Sequence, residues 1–154
     1  MARIIVTGCE YTGKTTLIQQ IVKWGKEAYG GKMGYDVHDH FDFAPKGLDP
    51  KDVDAVGRPP HESWFRFNFF YHVLTILNFE ENILLGGFHI QEAVYAPLYR
   101  GYYPVYIRQL EGQMHPDTIL LLLTASPDEI ARRMEEKPHE QSVISKEDIS
   151  FVLK

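Results

Sequence analysis

A lysine and a threonine that follow a glycine-rich stretch near the start of the chain are the residues best suited to carry out chemistry. Positions 8–15 read Gly-Cys-Glu-Tyr-Thr-Gly-Lys-Thr and fit G-x-x-x-x-G-K-[ST] at every fixed position. In this pattern the glycines let the backbone curve around a phosphate whose charge faces the loop's N–H groups. The lysine reaches the β- and γ-phosphates, and the hydroxyl after it binds Mg²⁺. The predicted nucleotide-binding residues are Gly8, Cys9, Glu10, Tyr11, Thr12, Gly13, Lys14, Thr15 and Thr16, with Lys14 catalytic and Thr15 a magnesium ligand.

A second group of reactive side chains lies in the run Asp-Val-His-Asp-His-Phe-Asp at positions 36–42. The run follows a predicted strand, and ligands of open parallel sheets bind outside the carboxyl ends of strands. We predict that Asp39 is catalytic, accepting the proton of an acceptor hydroxyl or holding Mg²⁺ through water, with Asp42 as second choice. Two other interpretations stay open: a solvated polar loop, and a zinc site built on His38 and His40.

The elements that must position these residues alternate between strand and helix. Apolar, β-branched runs predict strands near 3–7, 33–38, 82–87 and 118–124, the last a buried strand because it contains Ile-Leu-Leu-Leu-Leu. Helical patterns cover 14–26, 62–79, and 92–114 with interruptions by Pro97, Gly101 and Pro104. Ser126 and Glu129 form a capping box that opens a further helix at Pro127. This alternation predicts a parallel sheet covered on both faces.

The sequence resembles the P-loop kinases of nucleosides and nucleotides, especially the thymidylate kinase and deoxynucleoside kinase group. The run Gly-x-Glu-x-Thr-Gly-Lys-Thr-Thr at 8–16 is similar to that group's Gly-x-Asp-Gly-Ser/Ala-Gly-Lys-Thr-Thr. Trp-Phe-Arg-Phe at 64–67 and Glu-Ala-Val-Tyr at 92–95 lie where the group has its acceptor-binding helix and a Ser-x-x-Ala-Tyr segment. The loop is also similar to the ribosylnicotinamide kinase type, Gly-x-Glu-x-x-Gly-Lys-Ser/Thr. The resemblance implies ATP and Mg²⁺ as cofactors.

The resemblance also points to cations and rings around an acceptor. The stretch from Pro127 to Arg133 is similar to the group's helix before the lid, with an arginine six residues after proline. Arg133 therefore fits better than Arg132 as the catalytic cation that stabilises the transferring phosphoryl group, and Lys137 adds a second charge. The predicted substrate-binding residues are Arg66, Phe67, Phe70 and Arg100. The alternative is that the aromatic rings of this helix belong to the core and that Arg66 is an exposed helix arginine.

The chain departs from the group's pattern at two places. Where the group usually has Asp-Arg or Glu-Arg after the third strand, this sequence has Gly86-Gly87 followed by Phe88. The group also continues into a further helix and strand beyond position 154. A short family member or a C-terminally truncated domain accounts for this, and we expect residues beyond Ser145 to be poorly ordered or covered by a neighbouring molecule. Without the further strand we expect little preference for adenine over guanine.

The composition of the chain limits the classes of function and the cellular location that the sequence predicts. The 154 residues carry a net charge of −5, which argues against a general nucleic-acid binder. No apolar run reaches the roughly 18–20 residues of a membrane span. A single cysteine and a start that leads directly into a strand favour a cytoplasmic protein. The expected partner is a small-molecule acceptor, and a homodimer is compatible with the sequence.

Together these features predict a single three-layer α/β P-loop domain over 1–154, with about four parallel strands ordered 2-3-1-4. The predicted function is ATP-dependent phosphoryl transfer to a nucleoside or nucleoside monophosphate. Two alternatives remain: a kinase of a non-nucleotide small molecule such as a vitamin riboside, and a nucleotide-binding regulator or ATPase without transfer activity.

Overall fold

A single parallel sheet organises the molecule. The computed structural model describes residues 2–30, 34–39, 60–79, 82–139 and 142–152. Within them the strands are β1 (Arg3–Thr7), β2 (Asp36–Asp39), β3 (Ile83–Gly86) and β4 (Thr118–Leu122). All pairings are parallel, and the order is β2-β3-β1-β4. The predicted α/β class and the strand order 2-3-1-4 are therefore confirmed.

The helical segments follow the predicted stretches, with breaks at their prolines and glycines. The described helices are α1 (Lys14–Ala28), α2 (Pro60–Tyr71), α3 (Phe88–Tyr95), α4 (Ile107–Glu111), α5 (Pro127–Glu136) and α6 (Ile149–Val152). Two π-helical stretches, His72–Leu77 and Ala96–Arg100, continue α2 and α3. The second ends at Gly101, whose positive φ of 70° suits glycine. The serine cap of the predicted capping box is confirmed, since the Ser126 hydroxyl accepts from the Glu129 N–H at 3.2 Å. The Glu129 carboxylate accepts hydrogen bonds from Arg132 and Arg133.

The two faces of the sheet are covered by different helices because neighbouring strand residues point to opposite sides. Ile5, Ile83 and Leu85 pack in one cluster with side chains of α2, α3 and α4, among them Phe65, Phe69, Phe88 and Leu110. Ile4 and Val6 pack on the other face against α1. Full burial of one such side chain is worth roughly 1.5–3 kcal/mol. The layers hold the carboxyl ends of β1, β2 and β3 next to the start of α1.

The prediction that β4 is a buried strand is wrong. Ile119, Leu120 and Leu122 are 47%, 48% and 64% exposed. Among the described strands β4 pairs with β1 alone, so it forms one edge of the sheet. The apolar composition of the strand correctly indicated its secondary structure. Its burial depends on what covers the edge, and a local pattern does not encode that.

The end of the described chain also differs from the prediction. Ile144 and Ile149 are only 5% and 4% exposed, and they pack with Cys9, Tyr95 and Ile130. We call these five residues the C-terminal cluster. Residues 142–152 thus pack through apolar side chains beside α5 and the glycine-rich loop, contrary to the expectation of a poorly ordered tail. The alternative expectation, that a neighbouring molecule covers the tail, stays a prediction. None of the described helices is long and apolar enough to cross a membrane.

Candidate functional site

The loop between β1 and α1 has a curved backbone that suits an anion. Gly8 and Gly13 have φ values of 147° and 101°, which side-chain-bearing residues rarely adopt. The Lys14 ammonium lies inside the curve and donates to the carbonyl oxygens of Gly8 at 2.8 Å and Cys9 at 2.9 Å. The Thr12 hydroxyl donates to the Cys9 carbonyl at 2.7 Å and tightens the turn. The predicted phosphate-binding residues are therefore brought together in a single loop.

Cys9 belongs to the interior of the loop. Its side chain is 7% exposed, and burial raises the pKa of the thiol. The Tyr95 hydroxyl lies 4.0 Å from the Cys9 sulfur and also accepts a hydrogen bond from the Glu10 N–H at 3.2 Å. Burial likewise raises the pKa of Tyr95. Cys9 and Tyr95 therefore connect the loop to α3 in their neutral forms.

A cleft of about 870 Å³ opens in front of this loop. Its walls carry four cationic side chains, namely Lys14, Arg132, Arg133 and Lys137. Thr15 and Thr16, which are exposed at the start of α1, also line it. Positive charge around an open cleft attracts polyanions and concentrates them at the loop. Two carboxylates, those of Glu10 and Glu136, also line the cleft, so the four cations outnumber the acidic side chains and the cleft favours an anion.

Arg133 reaches the loop from α5. Its Nη1 donates to the Tyr11 carbonyl oxygen at 2.8 Å, and its Nε donates to Glu129 Oε1 at 2.6 Å. Arg132 instead bonds Glu129 and Glu136 along the helix surface. The two arginines lower the pKa of Glu129 to about 2, Arg132 most strongly. Glu129 therefore stays ionised and fixes Arg133 beside the loop.

The opposite wall of the cleft lacks charge at the end of β3. Gly86, Gly87 and Gln91 line it, and the Gly87 N–H donates to the Val6 carbonyl at 2.9 Å. Gly87 and Phe88 both have positive φ, 75° and 65°. A phenylalanine in this region is uncommon and is held here by its burial. The turn that carries an Asp-Arg or Glu-Arg pair in the resembled group is thus a strained backbone segment in this chain.

Asp39, the predicted acidic residue, lies at the carboxyl ends of the strands, as expected. Asp39 ends β2 and is in register with Gly86 of β3, which lines the cleft. The side chain of Asp39 and all of Asp42 and His40 lie outside the described residues, so the catalytic and zinc hypotheses on this run stay predictions. Within the described part of the chain, no group of three His, Cys, Asp or Glu side chains is arranged to hold a metal ion.

The predicted acceptor-binding residues of α2 do not line this cleft in the described structure. Arg66 is exposed, and Phe67 is 65% exposed on the outer surface of α2. Phe70 packs against the core, with its ring centroid 6.5 Å from that of Tyr106. The roles of Arg66, Phe67 and Phe70 in binding an acceptor therefore stay predictions.

Arg100, the fourth predicted acceptor ligand, has partners inside the protein. Its guanidinium pairs with the carboxylate of Glu92 and lies 4.4 Å from the ring centroid of Phe65. Tyr102 donates a hydrogen bond to the same carboxylate. Glu92 is 2% exposed and Tyr102 is 1% exposed. This geometry gives Arg100 a structural task between α2 and α3, and its contact with an acceptor stays a prediction.

The donor set suits magnesium held mainly by a nucleotide. Thr15, which follows Lys14 in the chain, lines the cleft and carries one hydroxyl. Mg²⁺ usually keeps several waters and binds through one or two protein oxygens plus substrate phosphates. Thr15 fits the hydroxyl part of that arrangement. Asp39, whose backbone lies at the end of β2 and is separated from β1 by β3, is the candidate for a further oxygen through water.

Several residues at the cleft escaped the sequence analysis. Gln91 lines it from α3, and Ser142 and His139 close it from the segment after α5. Ser142 contacts Glu10, from which it is separated by 132 positions. No short-range pattern links such residues. Tyr11 has an unusual positive φ. The one sign of it in the sequence is that the resembled group has glycine at this position.

Comparison with solved structures agrees with this architecture, whereas two comparisons based on sequence find no match. Neither the protein-family models nor the curated protein sequences compared with the chain match it. A glycine-rich loop between the first strand and first helix of a parallel β2-β3-β1-β4 sheet is the arrangement of a P-loop α/β fold. Among solved structures, a thymidylate kinase from Ehrlichia chaffeensis is similar over 99% of this chain and 98% of that chain, with a TM-score of 0.55 and 19% sequence identity. At this identity the similarity concerns the fold, and activity must be argued from the site.

Proposed function

We propose that the chain is a phosphotransferase that moves the γ-phosphoryl group of ATP to a small acceptor, a nucleoside or nucleoside monophosphate. The observation that carries the proposal is the pairing of two cations around one loop. Lys14 bonds the inner carbonyls of the loop, and Arg133 bonds the carbonyl of Tyr11 from α5. A triphosphate between them would meet positive charge on both sides.

The proposed step is an in-line displacement. An acceptor oxygen forms a bond to the γ-phosphorus, the bond from that phosphorus to the β,γ-bridging oxygen breaks, and ADP leaves. Lys14 and Arg133 stabilise the negative charge on the transferring oxygens, an effect worth about 100- to 1,000-fold in rate for one good donor. With a nucleoside, Asp39 accepts the proton of the attacking hydroxyl. A nucleoside monophosphate attacks through an ionised phosphate oxygen that carries no proton, and Asp39 then orients the acceptor. Mg²⁺ bound with the nucleotide at Thr15 would neutralise further phosphate charge.

Removal of the Lys14 ammonium tests the proposal. Lys14→Ala should reduce acceptor-dependent ADP release at least about 100-fold, because one cation is lost from the transition state. The matched control is Arg108→Ala, which removes an exposed cation on α4 outside the cleft. Melting without nucleotide should be similar in both variants and the parent. A large loss of melting temperature in Lys14→Ala alone would assign the lysine a structural role and count against the proposal.

The turn Gly86-Gly87 supports a second candidate, a nucleotide-binding regulator or slow ATPase. No charged side chain is available at those two positions to orient the phosphate and metal. A kinase should release ADP only when an acceptor is present, whereas an ATPase or sensor should release it slowly without one. We would screen nucleosides, nucleoside monophosphates and vitamin ribosides as acceptors. Turnover with a vitamin riboside alone would assign the non-nucleotide kinase alternative.

A further inference from the structure

Two variable positions of the glycine-rich loop form hydrogen bonds with the segment that follows α5, which is described at residues 137–139 and 142–143. Glu10 contacts Ser142 and Val143, and Tyr11 contacts His139. The motif fixes neither Glu10 nor Tyr11, and the proposed chemistry uses neither side chain. Their contacts nevertheless join the floor of the cleft to the part of the chain that closes it.

The Glu10 carboxylate is the stronger of the two attachments. One oxygen accepts from the Ser142 hydroxyl at 2.5 Å, and the other accepts from the Val143 N–H at 3.4 Å. Hydrogen bonds to an ionised acceptor are roughly twice as strong as neutral ones. These bonds keep the negative charge of Glu10 close to a loop that is proposed to bind phosphate. The charge of Glu10 would repel a bound phosphate, whereas its hydrogen bonds attach the segment to the loop.

Tyr11 makes the second attachment through its side chain and backbone. Its hydroxyl accepts from the His139 N–H at 3.0 Å, and the two rings meet edge to face with centroids 4.8 Å apart. Its carbonyl oxygen accepts from Arg133. The φ of Tyr11 is 62°, in the left-handed region that favours glycine. The contacts on both sides of the residue offset this backbone strain.

The attached segment carries one cation of the cleft. Lys137 follows α5 directly, and it lines the cleft together with His139. Beyond Ser142, Ile144 and Ile149 enter the C-terminal cluster. Loss of the Glu10 and Tyr11 attachments would release His139 and Ser142 from the loop while α5 and the C-terminal cluster stay packed.

We infer that Glu10 and Tyr11 are positioning residues that dock the segment after α5 on the phosphate loop and so hold Lys137 beside a bound polyphosphate. The inference rests on the proposed function, because it assigns this cation to the phosphates of a nucleotide. It predicts that Glu10→Ala changes polyanion affinity in the opposite direction from the one that charge alone predicts. Removing an acidic side chain beside a phosphate loop should by itself tighten polyanion binding, whereas undocking Lys137 should weaken it.

The test uses the full chain and inorganic tripolyphosphate as the probe, with affinity measured by calorimetry. Glu10→Ala and Ser142→Ala should each weaken binding about two- to tenfold, the scale of one net hydrogen bond. The double variant should bind about as weakly as Glu10→Ala alone, because Glu10→Ala already breaks the Ser142–Glu10 bond and also removes the acceptor of the Val143 N–H. Glu10→Gln, which keeps an acceptor oxygen, should retain most of the affinity. Tyr11→Phe should weaken binding, with the exposed Tyr103→Phe as its control.

The outcomes distinguish failure of the proposed function from failure of the positioning role alone. Failure of the parent chain to bind tripolyphosphate would overturn the proposed function and the positioning role with it. Equal binding by the parent and all variants, or tighter binding by Glu10→Ala and Ser142→Ala, would overturn the positioning role alone. Ser142 is small and half-buried, so Ser142→Ala answers the question even where changes at Glu10 or Tyr11 unfold the chain.

Discussion

Substitution of the first loop glycine should separate steric crowding from backbone strain. A Cβ built on Gly8 would lie 2.4 Å from the Leu123 carbonyl oxygen and 3.0 Å from the Thr12 hydroxyl oxygen. The nearer atom is backbone at the end of β4, so it cannot move aside as a flexible side chain would. Gly8→Ala therefore requires the loop and the strand to separate.

The cost of Gly8→Ala follows from two contributions. The φ of +147° is strained for alanine, which costs about 1–3 kcal/mol. Overpacking of this kind adds about 1–3 kcal/mol. Together they predict a loss of about 2–6 kcal/mol, out of a total stability that is usually about 5–15 kcal/mol. Binding of a fluorescent ATP analogue should be lost as well, since the loop no longer has its phosphate-binding curve.

Gly30→Ala is the matched control. Gly30 has a φ of +61°, and no atom lies within 4 Å of its Cβ position. It therefore carries the backbone contribution alone, about 1–2 kcal/mol. Urea unfolding followed by the fluorescence of the two tryptophans measures both variants. A loss in Gly8→Ala no larger than that in Gly30→Ala would refute the reasoning about Leu123.

Further predictions concern the core, the loop thiol, a buried histidine and the acidic strand end. Ile130→Ala should cost about 2–5 kcal/mol in urea unfolding, because the side chain is fully buried; a cost under about 1 kcal/mol would contradict this. The Cys9 thiol should react slowly with a thiol reagent at mildly alkaline pH and rapidly once unfolded, because burial raises its pKa; fast reaction in the folded chain would exclude that burial. Burial lowers the pKa of His89 against the opposing effect of Glu111, so the unfolded chain binds the proton more readily, and stability should fall as pH drops below about 6.5; a His89→Gln variant with the same fall would rule out this origin. Asp39→Asn should reduce turnover about 100-fold with little change in ATP affinity, and unchanged turnover would remove Asp39 from the mechanism.

The sequence predicted those features whose causes are local. Strand runs, the glycine-rich motif and the Ser126 cap depend on residues within a few positions of each other, and the structure contains each of them. The strand order was predicted from the resemblance to P-loop kinases, whose sheets share it. Arg133 was named because the resembled group has an arginine six residues after the matching proline.

Other features depend on partners far along the chain. Leu120 and Leu122 have the side chains of a buried strand, yet the edge position leaves them exposed. Arg100 was predicted to bind an acceptor, and burial of Glu92 among aromatic rings gives it an internal partner. A buried carboxylate must be paired to be tolerated, so the partner of Glu92 was necessary but could not be identified from spacing alone.

The C-terminal cluster has a consequence for the motions of the molecule. Cys9 belongs to the phosphate loop, Ile130 to α5, and Ile144 and Ile149 to the last described segment, and all four pack together. Elements that share buried contacts tend to open as one cooperative unit in native-state hydrogen exchange. The amides of the loop and those of residues 142–152 should therefore share one opening free energy. A polyphosphate bound at the loop should slow exchange in a segment that contains none of the loop's residues, which makes the tail a reporter of the occupancy of the cleft.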